Sequence, residues 1–434
     1  MEIAIVLTGI LILVLLIAVF KLNTFLSFII VSMGIGIAFN IPIVDVSKAV
    51  QRGIGNTLGF LAIILGCGAM LGKLVADSGA AQRIADTMIR VFPSRYVQWA
   101  VVLTGFIVGI PMFYSVGFVI LLPLVFTVAA RTKLPLLYVG LPMLSALSVT
   151  HGYLPPHPAP SALVESFGAD MGTTLLYGLI VAIPAIILGG PVFGSTLKKY
   201  NPTPLKSLFS GKRFEEDEMP SLGVSIFTAL LPVILLAGAA VLKLFMEENA
   251  FINFIGDPVI AMVITIIVAI FTLGLNRGKT MTEVGDSLLA AVKDIAMILF
   301  IIAGAGALKE ILIVSEVSDL IGEMLQGVNV SPLILAWGIA SIIRFCVGSA
   351  TVAGLTAAGI VAPLISLTGA NPALMVLATG AGSLMFSHVN DTGFWLFKEY
   401  FNMSVKDTLK TWSVMEIIVS VTGLIGVLIL NQFV

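Results

Sequence analysis

Charge is what this chain has least of. Only 11% of its 434 residues are Asp, Glu, Lys or Arg, against roughly 25% in soluble domains, too few to clothe a water-facing surface. Cysteine is scarcer still: Cys67 and Cys346 stand alone in apolar, glycine-containing segments. That argues for buried thiols and excludes a disulfide framework. The three histidines, His151, His157 and His388, form no pair at ligand spacing on one helix, so neither a metal nor a cofactor is expected. A net charge of −1 gives no argument for nucleic acid as a partner. Strand-like alternation in blocks of about ten residues, the mark of an outer-membrane barrel, is absent. So are a basic stretch before the first apolar run and a small-residue cleavage site at Phe20-Lys21-Leu22. The first segment therefore reads as a retained helix.

What fills the chain is apolar side chain, at 58% of residues and a mean hydropathy of +1.10. Runs such as 3–20, 222–242 and 412–430 approach or exceed the ~18–20 residues of a bilayer span. The expected fold is an all-α membrane protein with roughly 10–14 spanning segments. Spans are expected near 2–20, 23–43, 58–75, 97–131, 135–150, 171–194, 221–245, 256–276, 287–314, 331–345, 350–367, 372–386 and 412–433. The stretch 97–131 is too long for one crossing and must bend or form a hairpin. Amphipathic segments 44–56, 79–91 and 316–327 are expected at the interface or as scaffold.

One long hydrophilic stretch, 198–220, divides the chain, with Lys198, Lys199, Lys206, Lys212 and Arg213 ahead of Glu215 to Glu218. Its basic residues place it in the cytoplasm. Following the spans outward puts Glu247-Glu248 outside, Arg277 to Lys279 inside, Lys21 inside and both termini in the periplasm.

The two flanks, 1–197 and 221–434, resemble each other. Gly66-Cys-Gly68 matches Gly304-Ala-Gly306, Trp99 matches Trp337, Pro123 matches Pro363, Thr150-His151 matches Ser387-His388, and Asp170 matches Asp407. These fall in order at an offset of roughly 235–240 residues, the sign of internal duplication. With the charged loop inside and the N-terminus outside, the first half has an odd number of crossings, so two inverted-topology repeats are expected; parallel repeats, the alternative, would need an even first half.

Polar residues gather where helices must break. Pro155-Pro156 and Pro158-Ala-Pro160 cannot continue the helix ending near Thr150. Val389-Asn390-Asp391-Thr392-Gly393 interrupts the partner helix by turn chemistry. Broken helices expose backbone donors that suit an anion. His151 and His388 read as groups that recognise substrate hydroxyls or relay protons, or as imidazoles that satisfy the broken backbone; His157, among prolines, poses the same choice. Asp391 reads as a proton-coupling carboxylate, or as the N-cap of a helix beginning at Gly393. Two hydroxyl-rich hinges complete the candidates: Tyr114 and Ser115 in 109–117, and Ser349 and Thr351 in 344–354. Arg344 either pairs with a substrate carboxylate or snorkels to the interface. Lys73 and Lys309 read as helix-end anchors.

At these residues the chain resembles the gluconate permease family of bacterial gluconate:proton symporters. The resemblance runs through Gly59 to Arg83, Gln98 to Gly105, Thr150 to Pro158, Gly348 to Ala353 and Ser387 to Tyr400. It implies import of gluconate, or of a similar sugar acid, by proton symport across the bacterial inner membrane. The mirrored breaks and hinges supply the candidate residues, with Thr150, His151, His157, Tyr114, Ser115, Ser349, Thr351, Arg344, Ser387, His388 and Asn390 expected to hold substrate and Asp391, His151 and His388 to couple the proton. The resemblance also implies a homodimer with scaffold and transport domains, re-entrant hairpins and elevator-type movement. D-serine or another small organic acid, with sodium coupling, is the alternative. At Ser115 the family usually carries an acid, so this chain would couple through another group such as Asp391 or a histidine, be altered in coupling, or carry an engineered substitution. No metalloprotease or serine-nucleophile motif points to an enzyme.

Overall fold

A backbone within a bilayer must satisfy its own hydrogen bonds, and apolar runs here do so as helices. The computed structural model describes residues 2–200, 202, 214–246, 249–315 and 330–434, and among them there is no strand. Segment 316–327, the loop residues Lys206, Lys212 and Arg213, and Glu247-Glu248 lie outside the described residues.

In chain order the helices are α1 Glu2–Ala18, α2 Thr24–Ala38, α3 Ile43–Asp77, α4 Ala80–Val91, α5 Val97–Gly109, α6 Tyr114–Thr132, α7 Leu136–Tyr153, α8 Pro158–Phe167 and α9 Met171–Thr196. After the charged loop follow α10 Leu222–Phe245, α11 Ala250–Gly256, α12 Pro258–Arg277, α13 Met281–Val314, α14 Pro332–Val347, α15 Ala350–Val361, α16 Pro363–Thr368, α17 Pro372–Ser383, α18 Thr392–Tyr400 and α19 Val405–Leu430. Among the described residues, seven (α3, α6, α9, α10, α12, α13 and α19) are long and apolar enough to cross a membrane. Large side chains such as Phe20, Ile183, Phe227, Leu244, Phe245 and Ile342 are exposed, which suits contact with acyl chains.

The longest helices, α3 and α13, run 35 and 34 residues, about 50 Å each. They lie along one another at glycine: a Cβ on Gly53 would sit 2.4 Å from the Gly306 carbonyl oxygen, and one on Gly306 would sit 2.2 Å from Thr57 Oγ1. Segment 44–56, expected to be amphipathic and to lie at the interface or act as scaffold, is the amphipathic first third of this helix and not an element apart. No proline or cap interrupts the chain there, and Val46, Ala49, Val50, Gly53 and Thr57 continue the buried face of α3. α2 flanks α13 as α12 flanks α3, and α5 packs on α7 as α14 packs on α17.

α7 and α17 form the interior. All of α7 but Tyr138 and His151 is buried, as is all of α17 but Pro372, the pattern of helices enclosed on every side. α7 runs three residues past the expected end at Thr150, because Leu154 N–H still reaches the Thr150 carbonyl at 3.2 Å. His151 therefore stands on the last helical turn. α17 stops at Ser383, before the expected 386, and Phe386 adopts a positive φ of 46°. The bend expected in 97–131 falls at 110–113, where Pro111 separates α5 from α6. Both thiols are free, but Cys67, at the edge of the core, is only half-buried and Cys346 is exposed; neither is the fully buried thiol expected.

The described part of the charged loop docks on α4. Arg83 Nε donates to the Pro220 carbonyl at 2.9 Å, and Gln82 Nε2 to that of Phe214 at 3.0 Å. Arg277 Nη2 donates to the carbonyls of Asp217 and Glu218, both at 2.8 Å. Both basic loops thus meet at one end of the bundle.

Candidate functional site

The link between α17 and α18 is held by its acid. Asp391 Oδ1 accepts from Gly393 N–H at 3.0 Å, capping α18, while Oδ2 takes Arg344 Nη2 at 2.5 Å and the Ser387 hydroxyl. Arg344 also donates to the Gly348 carbonyl. Its side chain is 4% exposed, so it does not snorkel. Gly348 closes α14 with φ of 80°, and a Cβ there would strike the Asn390 carbonyl oxygen at 2.3 Å; only glycine allows the link to lie this close. From α19, Trp412 Nε1 donates to Ser387 Oγ at 2.8 Å and Ser413 Oγ donates to the Ser387 carbonyl. Both donors sit in a π-helical turn, Leu409–Ser413, a distortion that recurs at functional sites.

His388 and Asn390 serve the end of α14. His388 Nε2–H and Asn390 Nδ2–H both donate to the Phe345 carbonyl at 2.9 Å, one of the acceptors a helix C-terminus leaves open. His157 does the same for α5, donating from Nε2 to the Gly109 carbonyl at 2.7 Å. His151 is different. Its Nδ1 is buried without a partner, and its ring lies 5.5 Å from His157 and 6.2 Å from Tyr114. Tyr114 in turn packs 5.8 Å from Trp412, and its hydroxyl is also buried without a partner.

The structure thus gathers Tyr114, His151, Arg344, Ser387 and Asp391 around Trp412, with Asn390 next to Asp391 on the link at the end of α14. Thr150 is buried at the crossing of α5 and α7, with Oγ1 donating to the Leu147 carbonyl at 2.9 Å. Ser349 caps α15 through Val352 N–H at 3.4 Å, and Thr351, half-buried, follows it on the first turn of α15. Ser115 is exposed on the first turn of α6. Lys73 pairs with Asp77 at 3.2 Å and Lys309 with Glu165 at 3.6 Å.

Glu416 is the residue the sequence reading passed over. It is 2% exposed on α19, one turn beyond Trp412. Ser148 Oγ–H donates to its Oε1 at 2.7 Å, and its Oε2 is buried without a partner. A lone acid inside the apolar run 412–430 was the available signal, because such a charge is costly in a membrane. Nearby, Tyr153 Oη donates to the Val419 carbonyl at 2.5 Å, so α19 is pinned to α7 as well as to the 384–391 link. Unsatisfied buried groups are few in native proteins. Here Tyr114 Oη, His151 Nδ1, Arg344 Nε, Asn390 Oδ1 and Glu416 Oε2 are all of that kind. The first four suit a polar solute better than permanent packing, whereas the Glu416 carboxylate oxygen suits a proton. A cavity of about 20 Å³ at His157, lined also by Phe113, Pro156 and Met262, holds about one water. A wider cleft of about 740 Å³ lies elsewhere, between α4, α6 and the charged loop.

Solved structures that resemble this fold include two of transport proteins. The YdaH transporter of Alcanivorax borkumensis aligns with a TM-score of 0.57 at 17% identity over 87% of this chain and 86% of that one. MtrF of Neisseria gonorrhoeae, described within a class of antimetabolite efflux pumps, aligns with a TM-score of 0.66 at 13% identity over 88% and 83%. Sequence relatives are much nearer. A high-affinity gluconate transporter of Escherichia coli (strain K12) is 52% identical over 100% of both chains. The Gnt-II system L-idonate transporter of the same strain is 51% identical over 99% of each, and a gluconate permease of Bacillus subtilis (strain 168) is 47% identical over 99% of each. These relatives are named as transporters and permeases, not enzymes, and the model described as GntP family permease matches residues 1–434: with its all-helical fold, this chain belongs to the GntP family of permeases.

Proposed function

We propose that this permease imports gluconate or a similar sugar acid by proton symport across the bacterial inner membrane. The observation that carries the substrate class is full-length identity of 47–52% to relatives named for gluconate or L-idonate. A polyhydroxylated carboxylate also suits the chemistry of the cluster. The unpartnered Tyr114, His151 and Asn390 atoms match substrate hydroxyls, and Arg344 matches the carboxylate. Asp391 holds Arg344 at 2.5 Å, so substrate carboxylate and Asp391 compete for one guanidinium; a proton delivered to Asp391 releases Arg344 to the substrate. Thr150, His157, Ser387 and His388 set the walls, with Ser349 and Thr351 at the mouth of α15. Ser115 stands outside that group.

The reading includes inverted repeats over 1–197 and 221–434, elevator-type movement and a homodimer. Matched packing supports the repeats: α3 against α13, α5 on α7 beside α14 on α17, and α9 against α19. The contact of Arg277 with 217–218 supports a shared cytoplasmic side, with the termini periplasmic. Uptake of labelled gluconate into proteoliposomes, with and without an inward proton gradient, tests the function. Absence of saturable uptake of any sugar acid overturns it. Uptake indifferent to the proton gradient but lost when choline replaces sodium removes the proton, and competition by D-serine alone reassigns the substrate.

A further inference from the structure

We propose that Glu416 is a proton-binding site of the transport cycle, distinct from Asp391. This inference rests on the proposed symport and names a second coupling group for it.

Three observations converge on Glu416. It is buried in the middle of the interior, at 2% exposure, on the face of α19 that meets α7. One carboxylate oxygen is fixed by the Ser148 hydroxyl at 2.7 Å, while the other has no donor. The charged groups within electrostatic reach, Arg344 on α14 and Asp391 on the link, pair with each other, leaving Glu416 without a counter-ion. Tyr114 from α6 and Tyr153 from α7 are the other titratable groups that feel its charge. A buried carboxylate oxygen with no donor is a place where a proton can sit.

The same helix relays the event to the substrate link. Trp412 and Ser413, one turn before Glu416, hold Ser387 through its hydroxyl and carbonyl, and Ser387 holds Asp391. Gain or loss of a proton at Glu416 changes how α19 sits against Ser148, and that movement reaches Asp391 through two hydrogen bonds. Proton occupancy and the state of the Arg344–Asp391 pair are thereby linked.

The test uses full-length protein in proteoliposomes. Glu416→Gln keeps the shape and the Ser148 contact but removes the exchangeable proton. The expected result is retained gluconate counterflow, with accumulation under an inward proton gradient reduced to the level seen without one, and no alkalinisation-sensitive dye signal on uptake. Gradient-driven accumulation like that of the wild type overturns the proposal. So does a folded E416Q protein that loses counterflow and gradient response together, because that is the behaviour of a structural group. If E416Q does not fold, Ser148→Ala decides: a pH midpoint of uptake moved by about half a unit or more supports the site, and an unmoved midpoint overturns it. A wild type without gradient-driven uptake overturns the proposed symport and this inference together, so the two failures differ in which protein fails.

Discussion

Arg344 and Asp391 are 47 residues apart in sequence and 2.5 Å apart in space, and their pair ties the end of α14 to the start of α18. Removing one partner of a buried pair leaves the other uncompensated, at a cost of about 3–5 kcal/mol. Arg344→Ala is expected to destabilise the protein by that order, and Asp391→Asn by less, because an amide still accepts from Gly393 N–H. The double variant should lose clearly less than the sum of the two. Thermal unfolding of the detergent-solubilised variants measures this coupling, and additive losses would contradict the pairing.

The histidines should separate by role. His388 bonds the Phe345 carbonyl at 2.9 Å, so His388→Ala is expected to cost about 1 kcal/mol of stability. His388→Gln, which retains a donor, should recover much of it. His151 offers a buried nitrogen with no partner, so His151→Phe, which keeps a ring beside Tyr114 and His157, should leave stability nearly unchanged. Its gluconate uptake should fall about tenfold, the equivalent of a lost contact of about 1.4 kcal/mol. Equal losses of stability in both variants would remove the distinction.

Glycine substitutions should report the crossing of the two longest helices. A Cβ on Gly53 meets backbone atoms of Gly306 and Ala307 at 2.4–2.8 Å, so Gly53→Ala is expected to destabilise by about 1–3 kcal/mol or more. Two residues on, Gly55 has nothing within 4 Å. Gly55→Ala should be neutral, or stabilising by about 0.5–1 kcal/mol. Thermal unfolding of the two variants side by side checks the register of α3 on α13.

The membrane class, the helix breaks and most spans were legible because each rests on local chemistry: apolar run length, proline, and turn residues. Position along a helix was less legible. Nothing between 43 and 77 breaks α3, yet the polar residues Asp45, Lys48, Gln51 and Arg52 made its first third read as an amphipathic segment apart, at the interface or as scaffold. What covers the apolar face of that third is α13, more than two hundred residues away in the chain. The pairing of Arg344 with Asp391 was hidden for the same reason; each has a reasonable local reading, and only tertiary packing joins them. Glu416 was visible as a charge in an apolar run, but its importance depends on Ser148 and on a second oxygen that nothing contacts. Sequence similarity paired His151 with His388, whereas the structure gives His388 the same task as His157, that of closing a helix end.

Ser115 tests where the proton is handled. It is exposed on the first turn of α6, beside Tyr114 but outside the cluster around Trp412. An acid there would face open helix N–H groups, a placement that favours negative charge by about 0.3–1 kcal/mol. Ser115→Glu is therefore expected to fold with unchanged or slightly higher stability. Ser115→Ala should keep uptake within about twofold, as exposed substitutions of about 0.5 kcal/mol do. If coupling resides in the interior at Glu416 and Asp391, Ser115→Glu should also leave the gradient dependence of gluconate accumulation unchanged in proteoliposomes. A large gain in gradient-driven accumulation by Ser115→Glu would instead place the controlling carboxylate at the start of α6. Glu416 would then be a group that fixes α19 against α7, with its Ser148 hydrogen bond serving packing alone.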